Sequence, residues 1–180
     1  MALTGVEVLR EAYQRAYAAV KTEIEGLTPE QLVWRPQPDA NCIAFIAWHI
    51  ARVGDVFFSQ RLLHQPEVWF SGGWEARTGL QVGGAGLRGL GMGTGFSDEQ
   101  AGDMPKLPAA DYQAYLDAVA KTIDGFFEGL DADALDRTYT AENWPDAKLL
   151  PILFQVLNHA HTHRGEIGYI KGLQGIRGRA

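Results

Sequence analysis

The chain has little of what would point to several common functions. Its 180 residues contain a single cysteine, Cys42, so no intramolecular disulfide is available and a reducing compartment is the expectation. Lys and Arg number 16 against 22 Asp and Glu, giving a net charge of −6, and no basic block appears anywhere. A nucleic-acid partner is therefore not expected, because phosphate binding needs a basic stripe. No uninterrupted apolar run approaches the roughly 18 residues of a membrane span. The first twenty residues, MALTGVEVLREAYQRAYAAV, scatter charge where a signal peptide would place an apolar core. The expectation is a soluble cytoplasmic protein without a membrane partner. Phosphate loops and serine elbows are missing too. Gly84, Gly86 and Gly89 have GxGxxG spacing but follow no strand, and Ser59, Ser71 and Ser97 lack the strand–turn–helix setting of a nucleophile.

What is present is helical periodicity. At 46% apolar and 21% charged, the composition suits one globular domain over residues 1–180. A first helix is expected over 4–26, opened by a Thr4/Glu7 capping box, with Leu9, Tyr13, Ala16, Tyr17 and Val20 inward. Thr28, Pro29 and Gln31 mark a short helical turn. A second helix should start at 39–41 and end near Leu63. The third follows Pro108 and stops at Leu130, Asp131 caps a short segment through Arg137, and a last helix covers 146–171 with Gly172 as its stop. No alternation of period two competes, so the expected class is all-α. Four long helices with one apolar face each imply a four-helix bundle. Between the second and third lies an irregular insert over 65–107, in which ten of the 21 glycines fall between Gly72 and Gly95. An unstructured connection of that length is uncommon and is usually functional or disordered.

The histidines carry the chemistry. His159 and His163 are four apart on the last helix, offset by about 40° on one face. His163 fills a gap in the apolar stripe between Val156 and Ile167, with His159 beside it. On the second helix His49 lies between Ile46 and Val53, so it also faces inward. Two imidazoles one turn apart, joined by a third from a facing helix, make a three-His site for a divalent metal with coordination positions left open. A histidine buried as an ordinary hydrogen-bonded core residue is the simpler alternative for each taken singly. His161 points away by about 200°, and His64 reads as a surface group at a helix end. Glu166, one turn past His163, could orient an imidazole, accept a proton from metal-bound water, or pair with Arg52. Cys42 reads as a small core residue.

These residues resemble the DinB-like superfamily of damage-inducible metalloproteins. LTPEQLVWRPQPDANCIAFIAWHIARVGDVFF looks like the family's second-helix signature, with its first metal histidine at His49. VLNHAHTHRGEIGYIKGLQG is similar to its last-helix signature, placing the other two ligands on His159 and His163, and LDADALDR also matches. Glu166 stands where Gln is frequent, and the insert is longer than in compact members. The resemblance implies a bundle holding Zn, Ni or a similar divalent ion, frequently as a homodimer. Characterised relatives are transferases and isomerases in which a metal binds a low-molecular-weight thiol such as mycothiol or bacillithiol.

Two functional readings follow. In the first, the three histidines hold a catalytic ion, Glu166 is its base, and Trp69, Phe70 and Trp74 cover the cleft, for thiol transfer or for metal-assisted hydrolysis. In the second, a non-catalytic metal-binding bundle serves a stress response. The residues also allow a third outcome, in which the histidines only pack the core and no metal binds.

Overall fold

A computed structural model of the chain describes residues 3–142 and 144–176; the ends of the expected domain, 1–2 and 177–180, lie outside them. The described residues are mostly helical, with four long helices. The first, α1 (Gly5–Ile24), opens on the expected capping box: Thr4 Oγ1 accepts from the Glu7 amide, and the Glu7 carboxylate accepts from Thr4 N at 2.7 Å. A second box, Thr28 with Gln31 and Pro29 at the first position, starts the short α2 (Pro29–Val33). Then comes α3 (Ile43–Asp55), which runs on through a wider π-helical stretch at Val56–Leu62. Three short helices follow, α4 (Val68–Ser71), α5 (Trp74–Thr78) and α6 (Asp98–Gly102). The chain finishes with α7 (Ala109–Glu128) and α8 (Leu149–Leu173). α1 packs on α7 and α8, and α3 packs on the same two.

α3 is buried on every side, from Ile43 through Asp55, and not on one face only. The cause is the insert, which covers the face that would otherwise meet water. Trp69 and Phe96 pack on Trp48, and Trp69 and Trp74 pack on Tyr115 of α7. Residues 65–107 pack around buried side chains, with short helices between irregular stretches, and add Val82, Met92 and Met104 to the core. α3 approaches α1 so closely that a Cβ on Gly54 would lie 1.9 Å from the Tyr17 hydroxyl oxygen.

The C-terminal third departs from expectation in one respect. Thr138–Ala141 (β1) and Trp144–Lys148 (β2) form a small antiparallel hairpin, pairing Tyr139 with Ala147. α8 therefore starts at Leu149 and not at residue 146. The strands are short and half-exposed, so their alternation is too brief to stand out against helical periodicity. Trp144 anchors the hairpin, packing on Phe57 and on the Arg61 guanidinium. Asp131–Arg137 contains a single 3-10 turn at Ala134–Asp136. No described helix is long and apolar enough to cross a membrane.

Candidate metal centre

The packing of α3 on α8 brings His49, His159 and His163 together. One ligand nitrogen from each lies within 4.8 Å of the others, and the ring centroids are 4.3–5.0 Å apart. The i, i+4 spacing on α8 and the inward register of His49 are what meet here. His161 is exposed on the far side of α8, and His64 follows the π-helical stretch with a left-handed backbone.

Hydrogen bonding sets which nitrogens face inward. The Nδ1 of His49 meets the backbone carbonyl of Met92, and that of His163 lies 2.9 Å from a Glu166 carboxylate oxygen. A carbonyl or carboxylate oxygen accepts, so both Nδ1 atoms carry a proton and Nε2 is the nitrogen left to offer a lone pair to an ion. His159 Nε2 is 2.9 Å from His49 Nε2, while its own Nδ1 is buried without a partner. Two imidazole nitrogens on one ion, at about 2.0–2.1 Å each, sit roughly 3 Å apart. The spacing and the inward lone pairs thus fit a divalent cation among the Nε2 atoms.

Burial reinforces the neutral state. It pushes the pKa of His49 down to about 4, against the Met92 hydrogen bond and with help from His163. It pushes His159 down to about 3, aided by both neighbouring rings. In the unfolded chain each would titrate near the ordinary value of about 6.5. Between these limits the unfolded state binds more protons, so the stability of the metal-free protein rises with pH through this window and falls as the solution is acidified. The slope is at most ~1.4 kcal/mol per pH unit for each histidine. Urea unfolding of metal-free protein at pH 7 and pH 4.5 should show the loss, with a smaller loss in His159→Gln; equal losses in the two proteins would contradict it.

The trio lies at the base of an open cleft of about 420 Å³. Phe45 stacks on His49 at 5.6 Å, and Phe96 extends that aromatic wall. Asn41, Thr94 and Asp98 add polar groups to the lining. Among the described residues no fourth histidine, cysteine or carboxylate joins the cluster. Glu166 orients His163 and does not pair with Arg52, which is engaged elsewhere. Cys42 is buried at the start of α3, where its sulfur accepts from the Phe45 amide and burial pushes the thiol pKa up. Trp69 and Trp74 pin the insert to the helices and do not line the cleft.

Two features of the site leave little signal in the sequence. The Met92 carbonyl is a backbone group, which no residue type announces. Next to it, Gly93 has φ +95°, and a Cβ there would lie 2.9 Å from His49 Nδ1. A glycine lets the loop approach the imidazole this closely.

The same fold occurs in a conserved Enterococcus faecalis protein, with a TM-score of 0.81 at 20% identity over 96% of this chain and 98% of that one. A DinB-like protein from Bacillus cereus aligns with a TM-score of 0.59 at 17% identity, over the full length of both chains. At such identities the likeness concerns the fold alone. No curated protein matches the sequence. Residues 12–167 match the DinB superfamily, and the chain belongs to that superfamily.

Proposed function

We propose that this protein is a divalent-metal enzyme of the thiol-dependent transferase or isomerase type. Its single domain is a four-helix bundle, and the ion, Zn or Ni, is held by Nε2 of His49, His159 and His163. The observation that carries the reading is the convergence of three imidazoles at the base of an open cleft, with no fourth side chain from the described residues closing the set. Catalytic metal sites keep such a position free, whereas structural ones fill it.

When bound, a divalent ion on three neutral ligands supplies positive charge that favours the thiolate over the thiol. The chain's own residues do the rest. Met92 and Glu166 hold two imidazoles in the tautomer that presents Nε2. Glu166, 43% exposed at its side chain, is the base we assign to take up the proton that a thiol releases. Phe45 and Phe96 offer an apolar wall to the carbon skeleton of the acceptor, and Asn41 and Asp98 offer hydrogen bonds to its polar end. We further propose a cytoplasmic homodimer with a role in stress response. Phe154, Tyr169 and Leu173 are exposed apolar side chains on α8 that a second copy would cover.

The test is a titration of cobalt-loaded protein with a small thiol such as cysteine, cysteamine or glutathione. Coordination predicts a new thiolate-to-cobalt absorption band that saturates, while light scattering on the same sample reports twice the chain mass. A cobalt spectrum unmoved by every thiol would overturn the thiol reading; a single-chain mass would overturn the dimer.

A further inference from the structure

A cluster of buried charged groups lies one turn from His49, and it does something specific to the insert. Arg52 is 0% exposed and uses all five of its N–H donors. Nη1 reaches Asp55 at 3.1 Å and the Tyr115 hydroxyl at 3.3 Å; Nη2 reaches Glu67 at 2.7 Å. The two remaining donors go to backbone carbonyls of the insert, Nε to Gly91 at 3.1 Å and Nη2 to Leu90 at 3.3 Å. The next carbonyl along the chain, that of Met92, is the one that meets His49 Nδ1. Arg52 and His49 are three residues apart on α3, so both grip the same three-residue stretch from one rigid helix.

We propose that Arg52 is a positioning residue for the metal site. By clamping the Leu90 and Gly91 carbonyls it holds the Met92 carbonyl against His49, and so fixes His49 in the Nδ1–H tautomer that leaves Nε2 free for the ion. The glycine-rich insert is then a bracket for a metal ligand, and not a lid. Carboxylates and backbone carbonyls that accept from ligand imidazoles are known to fix ring orientation and basicity in metal sites generally. The burial of Arg52 supports the assignment: a desolvated guanidinium persists only where its geometry is fully satisfied, and two of its five bonds are spent on this loop.

The metal part of this proposal rests on the function proposed above, but the tautomer part does not. The experiment therefore begins with metal-free protein. Long-range 1H–15N spectra of the imidazoles should show His49 as the Nδ1–H tautomer in the wild type. In Arg52→Lys, which keeps the charge but cannot reach both carbonyls and both carboxylates, the signal should shift toward a mixture with the Nε2–H form. Gly93→Ala makes the same lesion from the other side, because its Cβ would push the loop off the His49 ring. It removes no member of the buried ion cluster, and it tests the Met92–His49 link on its own should Arg52→Lys fail to fold. Both variants should then bind Zn or Co about 10- to 100-fold more weakly, as loss of an orienting partner does elsewhere.

An unchanged His49 tautomer in both variants would overturn the proposal, and so would a lost tautomer with wild-type metal affinity. A wild type that binds no metal, with the tautomer shift still present in the variants, would refute the function and leave the control of the His49 tautomer standing.

Discussion

Replacing His159 and His163 together with alanine should reduce metal content from about one ion per chain to background. The expectation follows from the donor count. Among the described residues only three side chains of metal-binding type converge, so the double change leaves His49 alone with backbone and solvent. A single imidazole does not retain a divalent ion against purification, whereas three preorganised ones do. The variant should still fold, because both rings are only partly buried and border an open cleft. Elemental mass spectrometry on untagged protein prepared without chelators makes the measurement, with circular dichroism as the folding control. Absence of metal from the wild type even after incubation with Zn or Ni would sink the metal reading. The His49–His159 contact would then be a plain imidazole–imidazole hydrogen bond in the helix packing.

How much of this was legible beforehand depends on whether side-chain pattern or backbone was the cause. The trio was legible because each histidine interrupts an apolar stripe at helical spacing, and inward stripes on packed helices must meet. The capping boxes at Thr4 and Thr28 were legible because they are local chemistry. The Met92 carbonyl was not, since any residue would supply it and only the path of the insert aims it at His49. Nor was the order of the insert, whose many glycines resemble those of a mobile loop. At Gly91 and Gly93 they serve positive φ and close approach instead. The Arg52 cluster did leave a trace. IARVGDVFF places an arginine and an aspartate inside an otherwise apolar helix, and charges there must find partners. Of the three roles open to Glu166, the pairing with Arg52 is the one that does not occur: the acidic partners of Arg52 are Asp55 on α3 and Glu67 at the start of α4.

Removing the other half of that cluster should have the largest effect on stability. Asp55→Ala should destabilise the protein by about 3–5 kcal/mol, a large share of the 5–15 kcal/mol of an ordinary domain. The Asp55 carboxylate is fully buried and accepts five hydrogen bonds. Arg52 Nη1 donates at 3.1 Å, and Ser59 Oγ, Tyr115 Oη, Val68 N and Trp69 N each donate at 2.8 Å. Alanine would take the acceptor from all five donors, most of them buried, and leave the Arg52 charge facing Glu67 alone. The two amides matter most for the fold, because they begin α4 and seat Trp69 on Trp48. Without them the insert loses its anchor on α3. Urea denaturation should show the midpoint falling by about 1–2 M, and a loss below about 1 kcal/mol would show that the cluster is not a structural keystone. The double change Asp55→Ala/Arg52→Met separates the causes. If stranded charge dominates, removing both charges should lose clearly less than the two single losses added together. Strict additivity would instead place the loss in the anchoring of α4. Either way the lesion should reach the histidines, since the cluster that receives α4 also grips the loop that holds His49.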